Sequence, residues 1–201
     1  GRYCFWAYGR RRIQQGERGE YLLFASHGPD DQGTIPLYEQ IYALAGLTQF
    51  YRITLDWEVL EDIRRTINSF QAFFWDPPSA TAEKDFAGKG GYYSHLDPAT
   101  MRPDTMQDGT PAAENRSRKN WNSVGDHVPA YLVNLILSLE PLPLGAVRQT
   151  FAPLLEVCHT IIDEVSSLIC EKFPDPNSDY VFERFHADWT PDLSYRWQQN
   201  R

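Results

Sequence analysis

The sequence predicts a mainly helical protein made of antiparallel helical hairpins, with short β-hairpins in the connecting loops. Three observations carry this. Four stretches space their apolar residues at steps of three and four, the period that lines one face of an α-helix. The four come in two pairs, each joined by a short connection, which makes the members of a pair antiparallel neighbours. A long region rich in Gly, Pro and aromatic residues separates the pairs, and extended segments flank them.

Residues 2–27 read as extended. Tyr3, Phe5 and Ala7 alternate with Cys4, Trp6 and Tyr8, Gln15 to Gly19 form a turn cluster, and Glu20 to Ala25 are a second apolar run. A β-hairpin is the simplest account. Ser26 to Gly33 are a loop, in which His27 reads as solvated. The first helix begins near Ile35-Pro36, since Pro is tolerated in a first turn, and carries Leu37, Ile41, Leu44, Leu47 and Tyr51. Asp56 is a natural N-cap for the second, which carries Val59, Leu60, Ile63, Ile67, Phe70 and Phe74.

Residues 76–118 are loop-rich and contain Gly90-Gly91-Tyr92-Tyr93-Ser94-His95-Leu96-Asp97; loops this long inside a domain usually serve function. The third helix spans about Asn122 to Leu139, with Asn122 open to a capping role. The fourth spans about Leu144 to Phe173, with a break expected near Pro153 and a stop at Pro174 and Pro176. Cys158, Cys170 and His159 fall on or near its apolar stripe and read as structural. The tail, Tyr180 to Trp189, reads as a strand and turn. Two hairpins alone leave wide apolar faces, so residues 1–201 are expected to be one domain and an internal stretch of a larger closed arrangement. That the chain starts at Gly1 points the same way.

Composition bounds the function. Apolar residues at 42% and charged residues at 23% describe an ordinary folded domain. A formal net charge of −8 repels a phosphate backbone, so nucleic-acid binding is not expected; Arg10 to Arg12 are too short a cluster to reverse that. No run approaches the roughly 18 apolar residues of a membrane span. Three cysteines without close pairs argue for reduced thiols and a cytoplasmic setting. Metal-ligand spacings such as His-x-x-x-His or Cys-x-x-Cys do not occur, nor does a P-loop or a Gly-x-Ser-x-Gly elbow.

Four segments resemble the N-acylglucosamine 2-epimerase family. They are Tyr38 to Arg52, an aromatic, Ala-rich helix opening with Tyr-x-Gln; Gly90-Gly91-Tyr92-Tyr93; Lys119-Asn120-Trp121-Asn122-Ser123-Val124-Gly125-Asp126-His127, leading into a helix with Tyr131; and His186-Ala187-Asp188-Trp189 followed by Trp197 to Arg201. The resemblance covers residues 20 to 201. It implies an incomplete (α/α)6 barrel, an α/α toroid of which this chain supplies the middle. It also implies a carbohydrate epimerase or isomerase that abstracts the C2 proton of a free sugar through an enediolate. In that chemistry histidines serve as acid and base, an Arg steadies the oxyanion, and no cofactor or metal is needed. The family's Gly-His motif with a following Glu, its last His and its Arg lie beyond this chain, so the chain alone is expected to be inactive.

On this resemblance His127 is the catalytic candidate, and Asn122, Asp126, Tyr38, Trp189 and His95 are the substrate-binding candidates. The family sets an Asn and a His four residues apart, on one helical face. Matching Asn122 puts Asp126 in the His position; matching His127 puts Ser123 in the Asn position. In an α-helix His127 would point about 100° away from Asp126, off the face shared with Asn122. This departure points to a different sugar or a different reaction on the same scaffold. The expected partner is a small carbohydrate, and a homodimer is compatible with it. Two other classes stay open: a glycoside hydrolase or lyase, which needs facing carboxylates with Asp97, Asp104 and Asp126 as candidates, and a non-catalytic sugar-binding relative.

Overall fold

A computed structural model describes residues 1–13, 20–24, 31, 33–81, 87–103, 116–141 and 145–194. The expected positions His27, Gln15 to Gly19, Asp104, Leu144 and Trp197 to Arg201 lie outside these residues. Helices dominate, as the periodicity predicts. Strands β1 (Gly9–Ile13) and β2 (Glu20–Phe24) form the expected antiparallel hairpin, with Gly9 opposite Phe24 and Ile13 opposite Glu20. Residues 1–7 are not part of it. Their alternation serves packing instead: Cys4 N–H donates to Ser69 Oγ at 3.2 Å, and the Trp6 indole N–H donates to Thr66 Oγ1 at 3.0 Å.

β3 (Ile35–Pro36) leads into α1 (Leu37–Thr54), and Leu55 in the left-handed region, with φ 55°, turns the chain into α2 (Trp57–Ser69). Asp56 caps α2, its side chain accepting from Glu58 N–H at 2.9 Å. At the start of α1 no side chain caps. The Leu37 N–H, one of the orphan donors of a helix start, finds Ser94 O at 2.8 Å instead. α2 runs on into a π-helical turn, Phe70–Phe74.

β4 (His95–Leu96) pairs with β3. β5 (Arg118–Asn120) pairs antiparallel with β6 (Arg184–His186), the expected tail strand. A second π-turn, Trp121–His127, follows β5 and passes into α3 (Val128–Leu139). α4 (Ala146–Glu171) runs unbroken through Pro153. The carbonyl that Pro153 leaves unpaired belongs to Gln149, an exposed residue where solvent can take it, so the break expected there does not form.

α1 packs on α2 and on α3, and α3 packs on α4. One core runs through all four. It takes Leu37, Ile41 and Leu44 from α1, Leu60, Ile63 and Ile67 from α2, Leu132, Leu135 and Leu139 from α3, and Leu154, Cys158, Ile161 and Val165 from α4. Each such side chain contributes about 1.5–3 kcal/mol by leaving water. Two expectations about α4 are corrected. Cys170 is exposed at the edge of the stripe, and His159 faces solvent, where Nε2 meets Glu140 Oε1 at 3.0 Å. None of the helices among the described residues is long and apolar enough to cross a membrane.

Candidate functional site

Tyr38 and Tyr42 are one turn apart in the first turns of α1, so they share a stripe. Their rings lie 4.7 Å apart, and the Tyr38 hydroxyl donates to the Tyr42 hydroxyl at 3.2 Å. Gln40, between them in sequence, points the other way and is buried; its amide donates to Trp6 O and Pro36 O and accepts from Trp6 N–H.

The second half of the site comes from the π-turn before α3. Asn120 caps it, accepting from Ser123 N–H at 2.9 Å, while Trp121 N–H donates to Glu183 O. The cap is therefore Asn120, not Asn122. Two features favour the wide turn. Pro129, just inside α3, would press its ring on the Gly125 carbonyl in regular α geometry. The Trp121 indole also lies flat on Gly125, where a Cβ would sit 2.3 Å from a ring carbon. The turn closes with Val128 N–H on Ser123 O, five residues back.

This spacing corrects the four-residue reading of the sequence. In a π-turn residue i+5 lies over residue i. His127 Nδ1 accordingly meets the Asn122 carbonyl at 2.5 Å. A carbonyl oxygen only accepts, so Nδ1 carries the proton and Nε2 of the neutral ring is a lone pair. Nε2 faces the Tyr42 hydroxyl at 3.2 Å. Asp126 Oδ2 stands 3.5 Å from Nδ1 and is mostly exposed.

The imidazole is walled by rings: Tyr38 at 4.8 Å, Tyr42 at 5.5 Å, and Tyr131 stacked at 6.0 Å. The hydrogen bond with Tyr38, with burial and the Asp126 charge adding to it, holds the Tyr42 phenol above its ordinary range. Burial and the bond with Tyr42 do the same for Tyr131. Both phenols therefore stay protonated and act as donors near neutral pH. The result is a histidine with a fixed tautomer, a carboxylate beside its N–H, and a basic nitrogen opening toward hydroxyl groups. Such an imidazole is arranged to take and return a proton.

The structure thus brings Tyr38, Asn122, Asp126 and His127 together, Asn122 through its carbonyl rather than its amide. It does not bring His95 and Trp189 to the cluster. His95 is buried on β4 rather than set at a cleft mouth; Nδ1 meets Ser94 Oγ at 2.8 Å and Nε2 meets Asp31 Oδ1 at 2.9 Å. Trp189 is buried among Phe173, Phe185 and Gly91, and its indole N–H donates to Lys89 O and Gly90 O. Gly91, at φ +81°, has no room for a Cβ, which would lie 2.6 Å from the Trp189 ring. Tyr42 and Tyr131 lie within the resembling segments but are not among the site candidates of the sequence. Their signal is spacing alone, four residues after Tyr38 and four after His127.

Apart from this cluster, the chain buries a charge, Lys119. Its three donors reach Asp76 Oδ2 at 2.7 Å, Gly90 O at 2.6 Å and Ala187 O at 2.8 Å. The Trp189 and Tyr93 rings flank the ammonium at 4.9 and 5.3 Å. Burial lowers the Lys119 pKa against the pull of Asp76. Asp97 accepts from Ala99 and Thr100 N–H and pairs with Arg116, so it is tied into its own turn. A cleft of about 530 Å³ opens beside Glu140, Arg148 and Glu156. It lies at the opposite end of α3 from His127 and has neither His nor Tyr in its lining. Among the described residues no cluster of His, Cys, Asp and Glu is arranged to hold a metal ion. No family model matches the chain, and comparison with curated proteins returns no match.

Proposed function

We infer that this chain forms part of a carbohydrate epimerase or isomerase of the N-acylglucosamine 2-epimerase type, in which His127 moves the C2 proton of a free sugar. One observation carries the reading. The Nδ1 proton of His127 is fixed on the Asn122 carbonyl, so its base, Nε2, opens onto a wall of tyrosine hydroxyls and rings. Aromatic faces with hydroxyl tips suit a sugar, which has apolar C–H faces and a polar rim. The departure from the four-residue spacing weighs less once the π-turn is taken into account.

Packing supports the toroidal fold. Tyr38 and Tyr42 at the start of α1 meet His127 and Tyr131 at the start of α3, so these helices run in the same direction from one end. α2 and α4 run back against them. Repeated around an axis, this gives a barrel with α1 and α3 in its inner layer and the site at their N-terminal end. Three free cysteines fit a reducing, cytoplasmic setting. A hydrolase is less well supported. Among the described residues, Asp126 stands beside an imidazole and Asp97 is held in its turn, so neither faces a second carboxylate as that chemistry needs.

The test is C2-proton exchange in deuterated water, followed by proton NMR, for a panel of free aldoses and ketoses with the protein that carries this sequence. At least one aldose should lose its C2–H signal, or one ketose a C1–H signal, and His127→Gln should stop the loss. No exchange with any sugar would sink the isomerase reading.

A further inference from the structure

We propose that Tyr42 is a latch on His127: a positioning residue whose phenol occupies the Nε2 lone pair in the resting site and must be displaced before a ligand can use that nitrogen. This deepens the reading above and rests on it for the word ligand, but the latch itself is a property of the unliganded chain.

Nδ1 spends its hydrogen on the Asn122 carbonyl at 2.5 Å, so the neutral ring has one remaining polar site, the lone pair on Nε2. Among the described residues that site is met by the Tyr42 hydroxyl at 3.2 Å. The Tyr42 oxygen in turn accepts from Tyr38 at 3.2 Å, so the order of donation is Tyr38 to Tyr42 to His127. Rings also stand beside the imidazole, Tyr131 stacked at 6.0 Å and Tyr38 in an edge-to-face contact at 4.8 Å.

Tyr42 is the exposed member of the group. It is 44% exposed, whereas the His127 side chain is 15% exposed. The group lying on Nε2 is thus also the one with most freedom to turn away into solvent. A lone pair accepts one hydrogen at a time, so a C–H or O–H of a ligand and the Tyr42 O–H are mutually exclusive there. When Tyr42 leaves, its freed hydroxyl stands beside the ligand, still linked to Tyr38. A ligand with a hydroxyl next to the reacting hydrogen satisfies both groups at once; a ligand without one leaves the phenol without a replacement partner.

The experiment needs no substrate. Diethyl pyrocarbonate acylates a free imidazole nitrogen, releasing ethanol and carbon dioxide, and peptide mass spectrometry reads the modified fraction at His127. In Tyr42→Phe the ring wall is kept and the hydroxyl lost. His127 should then react roughly two- to tenfold faster, the factor one neutral hydrogen bond is worth. Tyr38→Phe, which leaves the Tyr42 bond in place, should change the rate less. The Nε2 resonance of His127 in nitrogen NMR should move downfield in Tyr42→Phe and stay near its original position in Tyr38→Phe. Equal reaction rates and an unmoved Nε2 resonance in Tyr42→Phe would overturn the latch. Because neither readout involves a sugar, failure of the exchange assay and failure of the latch are separate results.

Discussion

Lys119→Met is the sharpest perturbation this structure offers. Met has nearly the length of Lys and no charge, so the packing around Trp189 and Tyr93 stays while three hydrogen bonds go, one of them the ion pair with Asp76. Asp76 keeps one bond at the affected oxygen, from Lys89 N–H at 2.9 Å, and its side chain is 3% exposed. A carboxylate is then left charged inside the protein. Removing one partner of a buried pair costs about 3–5 kcal/mol. For a chain of this size one kcal/mol moves Tm by about 2–4 °C, so the midpoint should fall by roughly 6–20 °C. Calorimetry gives the midpoint and urea unfolding the free energy. Adding Asp76→Asn removes the stranded charge and should recover a substantial part of the loss. A Lys119→Met protein within about 1 kcal/mol of the parent would refute the reasoning, because a surface pair costs no more than that.

Two further predictions follow from groups away from the tyrosine cluster. Burial alone would raise the Asp192 carboxyl, but bonds from Ser194 and Arg118 and the Arg184 and Arg118 charges outweigh it and hold it well below the usual range. A carboxyl lowered in the folded state stabilises fully above its unfolded value near about 4 and loses that contribution as pH falls further. The stability gap between the parent and Asp192→Asn, measured by urea unfolding, should therefore narrow below about pH 4; a constant gap would count against the cluster. Cys170 should label readily with a maleimide in the native protein. Cys158, enclosed and with its thiol pushed up to about 12, should label only after unfolding. Native labelling of both would contradict the packing of α4.

The parts legible in the sequence are those decided locally. Leu37, Ile41 and Leu44 mark the buried face of α1 by period alone, and Asp56 marks the start of α2 by its capping chemistry. In the hairpin, the run from Glu20 marks β2, whereas the alternating run Tyr3 to Tyr8 precedes β1 rather than forming it. What stays hidden depends on distant partners. Nothing local marks Lys119 as a buried cation, because its ligands lie 43, 29 and 68 residues away in sequence. His95 and Trp189 sit in a Gly-rich loop and a tail, which suggests a cleft. Only the pairing of β3 with β4, and the packing on Gly91, send them inward. Cys170 shares the period of the stripe but falls at its edge. The π-turn needs Pro129, Gly125 and Trp121 to act together, and no single residue type announces that.

That π-turn changes how the chain should be aligned with others. It fits one more residue into a turn than an α-helix does, and Asn122 and His127 meet at an offset of five. A sequence with one residue fewer between Asn120 and Val128 would close the same turn as regular α-helix. Its Asn and His, at an offset of four, would then stack as Asn122 and His127 do here. A correct alignment across this stretch therefore carries a one-residue gap inside a helix, where gaps are normally penalised most. Ungapped matching with such a sequence can superpose the Asn or the His, but not both.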